Sequence, residues 1–358
     1  MRDSERLGAL DLTRFFAISM MFVCHWVGIL ERFPGPHADA ILWLGRSATP
    51  GFVTVFGFTS GYAFWSRYRS DPGALGASLL ARAVRTAKYA LLVSAPAMGV
   101  LAHDGVWSAS RWAFATYSVL VFYCLAIPSM YLVFWLVRRR PSLLAPLLGA
   151  ASWAAGDLLR SVWGPSESIG IEYARLVLVA GPYAYLNLMG VAVTMIPLGI
   201  FLRTRAEERR TATLGALALV GAALCAAGLL SGALSDGFSA RAVINGEAKY
   251  PPKLWYFTHY AGMTLFLLGA LGVAQRRFPR FSTWVQPLAT LGGAPLKIYA
   301  AHAFVLPATH LLAWATKTRT EVTFAIALGL LLVYFARLSR PPDGPTPKCH
   351  PVPRLPSV

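Results

Sequence analysis

Charge is scarce in this chain. Only 14% of its 358 residues are Asp, Glu, Lys or Arg, against about 25% in a typical soluble domain. Long apolar runs recur along its whole length, and 56% of the residues are apolar. A soluble globular domain is therefore excluded. Strand-period alternation is missing as well, which excludes a membrane β-barrel and leaves α-helices as the spanning elements. Cysteine is nearly absent. Cys24, Cys124 and Cys225 lie singly in apolar runs and Cys349 near the end, so neither a disulfide framework nor a zinc site is expected. No metal is expected elsewhere. No internal repeat is apparent, which argues against many transporter folds. Acidic residues are the scarcer sign, 16 against 33 Lys plus Arg, for a net charge of +17. The basic residues sit in short loops between apolar runs, so a lipid bilayer rather than nucleic acid is the expected partner.

What is present is a succession of about ten spanning segments. They fall near 8–30, 44–66, 79–101, 112–137, 142–160, 176–202, 211–234, 254–274, 284–310 and 320–338. The fold class expected is all-α: a polytopic transmembrane helix bundle with both termini cytoplasmic. With the N-terminus inside, eighteen basic residues fall in inner regions and ten in outer ones. The contrast is sharpest between Arg138-Arg139-Arg140 inside and Arg111 outside, as the positive-inside rule requires. Arg14 interrupts the first apolar run and no clean small-x-small cleavage site follows, so the run reads as a retained helix rather than a signal peptide. Residues 1–338 form the transmembrane domain. Residues 339–358 carry seven prolines in twenty positions and read as an extended cytoplasmic tail.

Five basic residues fall inside the spans: Arg14, Arg82, Arg85, Lys88 and Lys297. An arginine in hydrocarbon costs at least ~2.5–3.5 kcal/mol, so such residues face a partner, a cavity or a ligand. In the first span, LDLTRFFAISMMFVCHWVGIL, Arg14 and His25 are eleven residues apart. Eleven helical steps return to within about 20° of the starting direction, which puts both on one face about 16 Å apart. Asp11 lies three residues before Arg14, where the two can pair. This face reads either as a catalytic wall or as an ion pair beside a hydrogen-bonded core histidine. The third span begins LLARAVRTAKYALL, where Arg82, Arg85 and Lys88 recur every three residues. This basic ladder at the cytoplasmic mouth suits phosphate oxygens. It also suits snorkelling to anionic lipid, although Lys88, about 13 Å into the span, is deep for that.

The chain resembles the acyltransferase 3 family of integral-membrane, acyl-CoA-dependent O-acyltransferases. The residues that carry the resemblance are Leu10-Asp11, Arg14 and His25 in the first helix, and Arg82-x-x-Arg85 at the start of the third. FVTVFGFTSGY with Ser60-Gly61 in the second helix and LGGAPLKIYAAH with Tyr299 and His302 in a late helix add to it. The family's ten-helix count agrees. Lys297 and the region before Phe52 depart from the family's pattern. The Lys249–Phe257 segment, KYPPKLWYF, is similar to the related heparan-type glucosaminide N-acetyltransferases. No soluble domain follows the last helix, as in stand-alone members.

The resemblance implies a transferase that takes acetyl-CoA or another acyl-CoA from the cytoplasm. It would modify a hydroxyl of a glycan, as in polysaccharide O-acetylation, or of another extracytoplasmic acceptor. The expected location is a bacterial inner membrane. Coenzyme A brings three phosphates for Arg82, Arg85, Lys88 and Lys297, and its thin pantetheine arm would extend past Arg14 to His25. There His25 serves as general base or as acyl acceptor, with Asp11 orienting Arg14. Tyr299 and His302 are candidates for the same cavity or a packed pair. Cys24 points about 100° from His25 and reads as packing. His37, His103, His259 and His310 read as surface residues. The rival reading is a transporter or exporter that carries an anion through the same cationic cavity, and Gly181-Pro182 hints at the broken helix it would need.

Overall fold

The computed structural model describes residues 7–30, 36–103, 105, 111, 116–235 and 239–316, with 330, 333, 334 and 337 as isolated positions. Every regular element among them is helical. Among the described residues five stretches are long and apolar enough to cross a membrane: Val119–Val137, Pro141–Val162, Ile169–Thr204, Glu207–Ala233 and Leu254–Arg277.

The first span forms α1 (Gly8–Leu30). A short helix not anticipated from hydropathy, α2 (Pro36–Gly45), leads to α3 (Ala48–Thr59). The chain then passes through a π-helical turn, Ser60–Phe64, into α4 (Trp65–Ser70). The basic ladder lies on α5 (Pro72–His103). The next helices are α6 (Val119–Val137), α7 (Pro141–Val162) and α8 (Ile169–Arg175), the last followed by a second π turn, Leu176–Ala180. Then come α9 (Tyr185–Thr204), α10 (Glu207–Ala233), a single turn α11 (Ala240–Ile244) and α12 (Leu254–Arg277). The described helices end with α13 (Pro279–Gly292) and α14 (Pro295–Thr316). The segment expected at 320–338 and the tail at 339–358 lie outside the described residues, isolated positions aside.

Two expected spans are interrupted. The span at 176–202 breaks at residues 181–184, where Gly181 turns extended (φ −82°, ψ 171°) and Pro182 offers no N–H to continue the ladder. The span at 284–310 is two helices, α13 and α14. Pro295 is pre-set to open a helix, and it disfavours helical geometry at the preceding residue.

The centre of the bundle is α3, which packs on α1, α9 and α12, while α10 lies along α12 and α7 along α9. Small residues let these backbones meet, as is usual where no hydrophobic effect drives helices together. A Cβ added at Gly57 would fall 1.9 Å from the Ala192 carbonyl oxygen, and one at Gly61 2.0 Å from that of Ile196. The α3–α9 seam is therefore backbone on backbone. The same device fixes α13 against α1, where Gly292 leaves no room for a Cβ beside the Asp11 carbonyl. Aromatic side chains fill the remaining core, with Phe58, Phe122, Phe134, Tyr256, Phe257 and Tyr260 fully buried. The outward faces carry Leu91, Leu132, Leu147, Leu219 and Leu230, apolar side chains suited to lipid.

Candidate functional site

Helix α1 carries two polar stations, and each is met by a different neighbour. At the lower station Arg14 donates through Nη1 to Asp11 Oδ1 at 2.6 Å and through Nη2 to Thr59 Oγ1 at 2.7 Å. Asp11 is nearly enclosed, its side chain 5% exposed, while Arg14 keeps 24%. The ion pair is thus satisfied along the helix, and Thr59 fixes the guanidinium against α3. The π turn begins at the next residue, Ser60, and π-bulges are frequent at functional positions. Arg82 lies over the Phe64 ring, 5.2 Å from its centroid, and within electrostatic reach of Arg67, Arg85 and Arg14. Four guanidinium groups gathered this way make a strongly positive zone at the Arg14 end of the bundle.

The ladder on α5 does not present all three residues alike. The buried stripe of α5 runs through Leu75, Leu79, Ala83, Thr86, Ala90 and Ser94. Arg82, Arg85 and Lys88 are exposed and advance around the helix away from that stripe. On helical geometry Arg82 flanks it and Lys88 lies roughly 170° from it. Lys297 is exposed near the start of α14, next to buried Ile298. The structure joins Arg82 to the Arg14 zone, while Lys88 turns away from the buried stripe of α5 and Lys297 is exposed on α14.

At the upper station His25 is exposed to a cavity. His25 is paired from α14: its Nδ1 is 3.2 Å from His302 Nε2, with ring centroids 5.3 Å apart and planes inclined by 19°. His302 is buried, and its Nδ1 meets the Tyr299 carbonyl oxygen. With both imidazoles neutral, this chain assigns the protons. A carbonyl only accepts, so His302 Nδ1 carries the hydrogen. In a neutral imidazole the other nitrogen is then an acceptor. His302 Nε2 therefore accepts from His25 Nδ1–H, and His25 Nε2 keeps its lone pair. The pair expected between Tyr299 and His302 exists, and it also reaches His25. Tyr299 itself lines the cavity.

The rest of the wall was not singled out from sequence. Arg46, at the α2–α3 junction, donates through Nε (2.9 Å) and Nη2 (2.5 Å) to the Ile244 carbonyl. Its own carbonyl accepts from Tyr256 Oη at 2.7 Å. The loop after α11 is thereby tied over the cavity, bringing Lys249 with it. Lys249 Nζ sits 4.3 Å from the centroid of the Tyr183 ring, on the helix break at 181–184. Thr49 supplies a hydroxyl. Both cations had counted only as outer-loop charges. The available signal was the aromatic-rich Lys249–Phe257 run and the Gly181-Pro182 break. Cys24, expected to pack away from the site, packs on Gly45 and also lines the cavity. His259, expected at the surface, is buried, 3.2 Å from Cys225 Sγ. The two lie on neighbouring helices of the tight α10–α12 pair.

Residues 7–338 match the acyltransferase domain of the acyltransferase 3 family. The chain belongs to that family. The similarity to the heparan-type glucosaminide N-acetyltransferases is not shown by it, and neither curated proteins nor solved structures provide a match. With its apolar helices, the chain is an integral-membrane acyltransferase. Arg14, His25, Arg82 and Arg85 of this acyltransferase occupy the two stations and the positive zone beside the lower one.

Proposed function

We propose that this acyltransferase moves a short acyl group, most simply acetyl, from cytoplasmic acyl-CoA to a hydroxyl of a glycan or similar acceptor across a bacterial inner membrane. The observation that supports the reading is the contact chain from the Tyr299 carbonyl through His302 to His25, in which neutral imidazoles would make His25 Nδ1 the donor and Nε2 the base. Arg82 and Arg85, with Lys88 and Lys297 at the periphery, hold the phosphates of coenzyme A. Arg14, oriented by Asp11 and Thr59, borders the path of the acyl arm. The acceptor O–H gives its proton to His25 Nε2 as its oxygen attacks the thioester carbonyl carbon. The tetrahedral intermediate collapses, the C–S bond breaks, and the leaving thiolate takes the proton from the imidazolium.

A positioned base of this kind contributes roughly 10²–10⁴-fold. Purified protein in nanodiscs, given radiolabelled acetyl-CoA and a hydroxylated oligosaccharide, should transfer label. His25→Ala should lower kcat by that factor and leave the affinity for acetyl-CoA unchanged. Undiminished turnover in His25→Ala would remove the catalytic assignment. Acceptor flux through liposomes without thioester consumption would favour export instead.

A further inference from the structure

The cavity at His25 has a charge of its own. Arg46 and Lys249 stand on its wall, and among the described residues no carboxylate lines it. Among the described residues neither cation takes part in an ion pair. Two of Arg46's three nitrogens are committed to the Ile244 carbonyl, which holds the guanidinium rigid and leaves Nη1 uncommitted. Lys249 is braced on the face of Tyr183, and Tyr183 packs on Tyr117 with centroids 5.6 Å apart. Both positive charges bear on His25. These cations belong to the upper station, whereas the guanidinium cluster assigned to coenzyme A surrounds Arg14 at the other end of α1. A second cationic site beside the base has no use in holding the donor's phosphates. Fixed charges on the cavity wall match an acceptor that bears an anion, the anion meeting Arg46 and Lys249.

We propose that the acceptor carries a negative charge, a carboxylate or phosphate on a hydroxyl-bearing glycan, and that Arg46 and Lys249 recognise it beside His25. This rests on the reading of the His25 cavity as the acceptor site. It makes acceptor choice an electrostatic matter. A neutral sugar of the same shape leaves both cations without a counter-charge and binds less tightly.

The test is equilibrium binding to the full chain in nanodiscs. Three probes are compared: a glucuronic acid tetrasaccharide, the same oligosaccharide with its carboxyls reduced to alcohols, and a phosphorylated oligosaccharide. At least one anionic probe should bind about tenfold or more tightly than the reduced one, the worth of one charge-assisted contact. Which anion binds better identifies the source of the charge. The preference should shrink with added salt. Lys249→Gln should abolish most of it and Lys249→Arg should restore it, so that misfolding is separated from lost recognition. Equal affinity for charged and reduced probes, or an unchanged ratio in Lys249→Gln, would overturn the proposal. So would failure of every anionic probe to bind. Label transfer from acetyl-CoA is measured in parallel. Charge-selective binding without transfer keeps the cationic site and removes the acyltransfer reading, whereas transfer indifferent to charge does the reverse.

Discussion

His302 touches no reacting atom in the proposed chemistry, yet it decides which nitrogen of His25 is basic. His302→Ala removes the acceptor 3.2 Å from His25 Nδ1 and frees the imidazole to adopt either tautomer. The loss has two parts. One hydrogen bond at the long end of the usual range has a net worth of about 1 kcal/mol, or about fivefold in the population of the aligned ring. Losing the tautomer bias costs roughly a further twofold to fivefold if the two tautomers then compete on comparable terms. Together they put the fall in kcat at about tenfold to thirtyfold, well short of the roughly 10²–10⁴-fold expected for His25→Ala. His302→Gln keeps an amide oxygen near the position of Nε2 and should recover most of the activity. The assay is single-turnover release of coenzyme A thiol from acetyl-CoA in saturating acceptor, with the affinity for acetyl-CoA measured separately and expected to stay constant. A structural role for His302 would depress both variants alike. Equal rates for the Ala and Gln variants, or a His302→Ala rate within twofold of native, would refute the reasoning.

The positive zone at the other end of α1 makes a separate prediction. Arg82→Ala combined with Arg85→Ala should raise KM for acetyl-CoA by about tenfold to a hundredfold, two partly exposed phosphate contacts being weaker than buried ones. The same double variant should leave KM for acetyl-pantetheine, which has no phosphates, unchanged, and a matching rise with both donors would argue against phosphate recognition. At the α1–α13 contact, Gly292→Ala places a methyl group against the Asp11 carbonyl, which backbone movement alone can relieve. Overpacking of this kind costs about 1–3 kcal/mol and should lower the thermal midpoint of the detergent-solubilised protein. A midpoint unchanged by Gly292→Ala would mean the α1–α13 contact yields freely.

The helical class was legible because the bilayer imposes one rule: every backbone polar group must be satisfied within its own segment. That rule leaves an apolar run of fixed length, which hydropathy detects. It does not detect where such a run breaks. Gly181-Pro182 and Gly293-Ala294-Pro295 lie within continuous apolar stretches, and only the missing proline N–H and its restriction on the preceding residue divide them. The α3–α9 seam was hidden for a related reason. Gly57, Gly61 and Gly199 lie in apolar runs, and their role depends on which carbonyl oxygen each one faces across the seam.

The site divides along the same line. Arg14 and His25 declared themselves because a polar side chain in hydrocarbon is expensive, and Arg82 and Arg85 because their spacing and helix position match a family motif. Arg46 and Lys249 declared nothing. A cation in an outer loop is ordinary, and the count that sets orientation treats each as one charge among ten. Their significance comes from two contacts that no spacing encodes: Arg46 to the carbonyl of Ile244, 198 residues later, and Lys249 to the ring of Tyr183 at the helix break. These long-range ties place loop charges at the mouth of a cavity built on helices. In the proposed mechanism, the donor end of the reaction is therefore written in helix periodicity and can be read from sequence. The acceptor end is written in loop closure, and the two meet at His25.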